Sequence, residues 1–125
     1  MLVDTDVIIW MLRGNRKAAR CIDGQPSLQI AAISYMELLK GARDKQEQKT
    51  IKSFLYDLGF EFLPVTQNIC HRAIVYMEEY CLASGIDLAD ALIAATAAEN
   101  GIELCTGNRR HYSIFSELTL HIFRP

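Results

Sequence analysis

The chain has 125 residues, half of them hydrophobic and 22% charged, which suits one compact domain over residues 1–125 that buries roughly two-thirds of its unfolded surface. Its net charge of −2 supplies no global basic field for gripping nucleic acid, and its apolar runs, such as residues 91–98, fall well short of the roughly 20 residues a membrane crossing needs. Acids at positions 4 and 6 break up what could have been a signal-peptide core, so a cytoplasmic protein without a membrane partner is expected.

In chain order, LVDT (2–5) is a short β-like run leading into VIIWMLRG, which is apolar at helical spacing and closed by Gly14. NRKAARCIDG then reads as a second short helix with Asn15 as its N-cap. SLQIAAIS (27–34) predicts a strand, and Ser34 is expected to open SYMELLKGARDKQEQKTIKSFLYDLG, two helices meeting near residues 41–45. FEFLPVT (60–66) reads as a strand, and QNICHRAIVYMEEYCLASG as a helix ending at Gly85 with Ile69, Ala73, Tyr76, Met77 and Tyr80 along one stripe. An alanine-rich helix follows and ends at Gly101. IELCT (102–106) is a strand, a short helix is expected around residues 113–117, and TLHIF (119–123) closes the pattern.

Strands alternating with helices predict an α/β fold around a mostly parallel sheet, because parallel neighbours need crossovers. Ligands then bind beyond the carboxyl ends of the strands. Asp4 ends the first strand, Glu37 follows the second, Asp90 begins the alanine-rich helix, and IELCT delivers Thr106, Gly107 and Asn108 to the same edge.

Each acid has a structural explanation when taken singly. Ser34-x-x-Glu37 spells a capping box, Asp87-x-x-Asp90 an N-cap with a dipole-favoured acid, and Asp6 could cap the first helix. Thr5, Thr96 and Thr106 could satisfy backbone groups. Capping does not require acids from distant segments to converge, however, and their mutual repulsion calls for a cation. Carboxylates without His or Cys partners suit a hard, oxygen-preferring ion, Mg²⁺ or Mn²⁺, and the chemistry such an ion supports is phosphate-ester hydrolysis. Cys21, Cys70, Cys81 and Cys105 have no CxxC spacing and lie in apolar segments, which predicts buried reduced thiols. His71, His111 and His121 lack paired ligand spacing, so zinc is not supported.

Clusters of basic residues (Arg13, Arg16, Lys17, Arg20; Lys40, Arg43, Lys45; Arg109, Arg110) read most simply as solvated helix faces. Phe54, Leu55, Phe60, Phe62, Leu63 and the tail LTLHIF hold more apolar surface than a small monomer needs if they face outward.

The stretches MLVDTDVII at the start, ISYMELLKGA at 33–42, DALIAATAAENGIELCTGN at 90–108 and RRHY at 109–112 together resemble the PIN domain, in particular VapC-type toxins of toxin–antitoxin pairs. The resemblance implies a three-layer α/β/α sandwich and a metal-dependent endoribonuclease. It also implies a homodimer and inhibition by a small antitoxin that inserts a segment near the active site. Asp4, Glu37 and Asp90 match the family's three main acids and would be both catalytic and Mg²⁺ or Mn²⁺ ligands, supported by Thr5, Asp6, Thr106 and Asn108. Asn108 stands where the family's fuller pattern has a fourth acid, which would weaken any second metal site. Arg109 and Arg110 are candidate contacts for an RNA substrate, tRNA among the candidates. The expected reaction is in-line attack of water on a phosphodiester, leaving 5′-phosphate and 3′-hydroxyl ends.

Two other readings fit parts of the chain. A non-catalytic PIN-like module that binds RNA or protein would accommodate the neutral Asn108. LVDTDVI is also a fair spelling of the first motif of haloacid-dehalogenase-like phosphatases, with Asp4 as nucleophile and Asp6 as acid/base, although no Lys-bearing motif followed by an acidic pair accompanies it. A receiver domain would need an Asp ending a middle strand, and neither SLQIAAIS nor FEFLPVT supplies one.

Overall fold

The computed structural model describes residues 1–125. Five strands, β1 (Leu2–Val3), β2 (Leu28–Ala31), β3 (Phe60–Leu63), β4 (Leu104–Thr106) and β5 (Leu120–Ile122), form one sheet in the order β3-β2-β1-β4-β5. All four neighbouring pairs are parallel. The chain therefore starts at the centre of the sheet, builds outward through β2 and β3, and crosses back to add β4 and β5 on the other side. The crossovers are α1 (Thr5–Leu12) with α2 (Arg16–Ile22), α3 (Ala32–Gly41) with α4 (Lys45–Asp57), α5 (Gln67–Ser84) with α6 (Leu88–Asn100), and the single turn α7 (Arg109–Tyr112). Reversal of the strand order between β1 and β4 opens a crevice at their carboxyl ends, the position where open α/β sheets bind ligands.

Side-chain alternation along the strands divides the core into two layers. In the registered pairs Leu2 faces the same side as Leu104, and Val3 the same side as Cys105. Val3 and Cys105 join Val7, Ile8, Met11, Ile30, Ile51 and Leu55 under α1, α2 and α4. Leu2 and Leu104 join Ile69, Ala73, Tyr76, Ile93 and a run of alanines under α5 and α6. The alanines explain themselves here: Ala91, Ala94, Ala95 and Ala97 are fully or almost fully buried, and their short side chains let α6 lie close to its neighbours. The three-layer α/β/α expectation holds, with a sheet that is wholly parallel.

Local signals set several helix ends as the sequence predicts. Asn15 accepts the Ala18 N–H at 3.0 Å; Thr66, which the sequence pattern assigns to a strand, also caps a helix by accepting the Ile69 N–H at 3.2 Å. Gly85 and Gly101 end α5 and α6 in the left-handed conformation, with φ of 67° and 60°, which a residue without Cβ adopts at little cost.

Other expectations are corrected. The 27–34 strand stops at Ala31, and helix α3 begins at Ala32 without a connecting loop. Ala31 occupies the N-cap position, so Ser34 lies inside the helix and the Ser34-x-x-Glu37 capping box does not form. The physical reason is that β2 pairs with β3 only as far as Ala31–Leu63, and alanine passes readily into helix. Pro64, which lacks an N–H, follows the end of β3. The short helix near the C-terminus is Arg109–Tyr112 rather than 113–117, because Asn108 caps it by accepting the His111 N–H at 3.3 Å. Asp4, not Asp6, caps α1. Of the four cysteines only Cys105 is buried; Cys21 and Cys81 are half-buried and Cys70 is exposed. The condition that residues 54–63 face outward is met only in part: Leu55 and Phe60 are core residues, and of the apolar residues named there Phe62 is the exposed one. No helix is long and apolar enough to cross a membrane.

Candidate active site

The site is assembled from the carboxyl ends of β1 and β4, the first turns of α1 and α6, and the second turn of α3. Asp4 leaves β1 in extended conformation and caps α1: its Oδ1 accepts the Thr5 N–H at 2.8 Å. Its backbone N–H donates to the Cys105 carbonyl on the adjacent strand, and the Thr106 hydroxyl donates to its Oδ2 at 2.6 Å. The Asn108 N–H in turn donates to Thr106 Oγ1 at 3.0 Å. Asp4 is only 6% exposed. Burial, and next to it the charge of Asp6, push its carboxyl up to about 7 despite the two hydrogen bonds that favour its ionised form. This is the strained electrostatics typical of functional acids.

Asp6 faces the turn after β4, where its Oδ2 accepts the Gly107 N–H at 3.0 Å. A Cβ at position 107 would sit 2.7 Å from that oxygen, so any other residue here would displace the Asp6 carboxylate; glycine is favoured by close approach rather than by backbone conformation. Glu37, one turn into α3, is exposed, and Thr5 Oγ1 donates to its Oε1 at 2.8 Å. Thr5 thus bridges the cap of α1 to α3.

Asp90 and Asp87 form a reciprocal capping box at the head of α6. Asp87 Oδ1 accepts the Asp90 N–H at 3.0 Å, and Asp90 Oδ2 accepts the Asp87 N–H at 3.4 Å. Asp90 nevertheless has further partners: His111 Nδ1 lies 2.8 Å from Oδ2, and the buried Tyr112 hydroxyl donates to Oδ1 at 3.4 Å. Burial and the neighbouring Asp87 raise its carboxyl above the ordinary range.

Asp4, Asp6, Glu37, Asp87, Asp90 and Asn108, with Thr5, line one depression of about 220 Å³. The predicted acids are therefore brought to one place, although no three His, Cys, Asp or Glu side chains close on a common point as a ready-made metal-binding set. The donor chemistry is all oxygen, with the anionic form of Asp4 disfavoured by its surroundings, and it fits a hard divalent cation that would offset that cost. No lysine lines the depression, which gives the aspartyl-nucleophile reading no support. Thr106 donates to Asp4, and Thr96 bonds back to the Leu92 carbonyl away from the site. Arg109 and Arg110 are exposed on α7 and do not line the depression. Sequence reasoning missed His111 and Tyr112 as partners of Asp90. The spacing Asn108-x-x-His111, a cap signal inside RRHY's approach, is the clue that could have placed them on one turn.

Known proteins share this chain's sequence family and its fold. The PIN domain family model matches residues 1–115. The protein named Ribonuclease VapC10 of Mycobacterium tuberculosis is 34% identical over 124 residues, spanning 94% of this chain and 90% of the relative. Ribonuclease VapC19 of the same organism is 30% identical over 122 residues, spanning 94% and 95%. Among solved structures, a toxin–antitoxin complex from Klebsiella pneumoniae superposes with a TM-score of 0.79 at 27% identity, covering 94% of each chain. VapBC2 from Rickettsia felis, bound to a DNA fragment from its promoter, gives 0.82 at 18% identity over 98% of each chain, a likeness of fold.

Proposed function

Because this chain belongs to the PIN domain family, we propose that it is a metal-dependent endoribonuclease, the toxin of a toxin–antitoxin pair, which hydrolyses RNA phosphodiester bonds at the depression between β1, β4, α3 and α6. The observation that carries the reading is the buried Asp4, its carboxyl raised to about 7, lining the same depression as Glu37 and Asp90. Asp4, Glu37 and Asp90 would hold Mg²⁺ or Mn²⁺, which when bound neutralises phosphate charge and makes water more acidic.

The chain's own groups do the positioning. Thr106 and the Thr5 N–H fix both oxygens of Asp4, the Thr5 hydroxyl holds Glu37, and Asp6 ties the β4 turn to α1 through Gly107. Such orientation is worth most where the reacting groups must be aligned. Water attacking phosphorus in line with the departing 3′ oxygen leaves 5′-phosphate and 3′-hydroxyl ends. Arg13, Arg109 and Arg110, all exposed, are candidates for flanking phosphates.

A groove of about 700 Å³ between α1, α3 and α4 shares Ile9 and Glu37 with the depression. Its aliphatic floor of Ile9, Leu12, Leu38 and Ile51 supports an antitoxin segment as occupant. Exposed Ile74 and Leu88 on α5 and α6 support the homodimer.

The test is cleavage of tRNA and single-stranded RNA by purified protein, free of antitoxin, in Mn²⁺, Mg²⁺ or EDTA. Cleavage that needs the metal and leaves 5′-phosphates is expected. Products ending in 2′,3′-cyclic phosphate would overturn the mechanism. RNA binding without cleavage would transfer the function to a non-catalytic binding module, the reading favoured by a neutral Asn108 committed to capping α7.

A further inference from the structure

Helix α7 is one turn long, yet it sends two side chains to Asp90. The His111 Nδ1 lies 2.8 Å from Oδ2 and the Tyr112 hydroxyl 3.4 Å from Oδ1, so both carboxylate oxygens are engaged from the same turn. The Asn108 amide also lies 2.8 Å from His111 Nδ1. One ring nitrogen carries either a hydrogen or a lone pair, so it cannot both donate to Asp90 and accept an amide N–H. A hydrogen bond to a carboxylate is about twice as strong as one between neutral groups. Asp90 therefore takes the Nδ1–H, and the neutral amide at 108 does not compete for it. A carboxylate at 108 would.

We propose that His111 is a positioning residue for Asp90: its Nδ1–H holds the Asp90 carboxylate in the depression shared with Asp4 and Glu37, while Asn108 seats the ring by capping α7. The inference rests on the reading of that depression as a cation-dependent hydrolytic site. It gives Asn108 a role of its own, since an uncharged cap leaves the histidine's hydrogen to Asp90. Partners of this kind orient the groups that hold a cation, and their loss costs about 10- to 100-fold in affinity.

The experiment has two readouts. The first is the ring tautomer of His111 in the metal-free protein by nitrogen NMR, its signals assigned among the three histidines by the His111→Ala variant. Hydrogen on Nδ1 is expected, and a ring protonated on Nε2 alone overturns the proposal. The second is Mn²⁺ affinity, read from the paramagnetic resonance of free Mn²⁺, with folding checked by Tm. His111→Ala is expected to bind at least about tenfold more weakly. His111→Asn, whose amide nitrogen falls near the place of Nδ1, recovers most of the loss, whereas His111→Gln does not. Wild-type affinity in His111→Ala overturns the proposal, as does failure of His111→Asn to recover. If the wild type itself binds no Mn²⁺, the metal-dependent reading of the site falls, and the tautomer alone decides whether His111 positions Asp90.

Discussion

The Thr106 hydroxyl donates to Asp4 Oδ2 at 2.6 Å, joining the ends of two neighbouring strands whose residues stand 102 positions apart in the chain. Removing that donor with Thr106→Val keeps the β-branched shape but leaves the buried carboxylate with the Thr5 N–H as its remaining hydrogen-bond donor. The Asp4 carboxyl then rises further above about 7, because a bond favouring the ionised form is gone. Cleavage is expected to fall about tenfold or more, with the acid limb of its pH profile moved to higher pH. Thr106→Ser should restore both. A pH–rate profile of the three proteins checks this.

Asp4→Asn is expected to abolish cleavage and to stabilise the protein in EDTA. The folded-state carboxyl is raised from 3.8 to about 7, so ionised Asp4 destabilises the fold. That cost is absent below about pH 4, grows as pH rises towards 7, and is constant above it. The gain at pH 8 should be about 1–3 kcal/mol, or several degrees in Tm, and should vanish near pH 3. Thermal melts across pH decide it; equal gains at every pH would contradict the cause.

Gly107→Ala places a methyl group 2.7 Å from Asp6 Oδ2 and 3.4 Å from the Phe123 carbonyl. Asp6 must swing away and lose the Gly107 N–H, so both stability and cleavage should drop. A loss of about 1–2 kcal/mol is expected from the broken charge-assisted bond and the crowding. Paired with Asp6→Ala, which removes the acceptor, the effect on Tm should be less than additive, since both changes break one contact.

Ser34 is completely buried in the first turn of α3, and its hydroxyl has no hydrogen-bond partner. An unsatisfied buried polar group costs about 1–3 kcal/mol. Ser34→Ala is therefore expected to raise stability, by about 1 kcal/mol, without loss of helix. Urea denaturation with an unchanged m-value would register it.

Away from the site, Arg72 pairs with Glu99 at 2.8 Å and with Glu117 at 3.5 Å, and the Tyr76 hydroxyl also donates to Glu117. The Tyr76 bond, foremost, holds the Glu117 carboxyl below its usual range. A depressed carboxyl contributes stability above its unfolded value of 4.5, and that stability is lost as pH falls through its lower folded value. Glu117→Gln should lower Tm slightly at pH 7, and the difference should shrink as pH falls below 4.5. The side chain is 41% exposed, so screening limits the change to about 0.5 kcal/mol.

Much of this protein is legible from local spacing. Strand and helix order follows from hydrophobic periodicity, and the ends at Asn15, Thr66, Gly85, Asp87 and Gly101 follow from groups that act within one turn of themselves. Asp4, Glu37 and Asp90 could be singled out because each follows or begins an element at the carboxyl edge of a parallel sheet. The same local logic misled at Ser34, whose cap spelling has no force once β2 runs directly into α3.

Tertiary structure alone decided which partner each carboxylate has. Thr106 reaches Asp4, and Gly107 reaches Asp6, because β4, some hundred residues further along the chain, is inserted beside β1. His111 and Tyr112 reach Asp90 because α7 packs against the head of α6. A hydrogen bond between remote segments depends on sheet order and on the seating of a single helical turn. Neither leaves a periodic trace in the chain, so composition and spacing could name the acids but not what holds them.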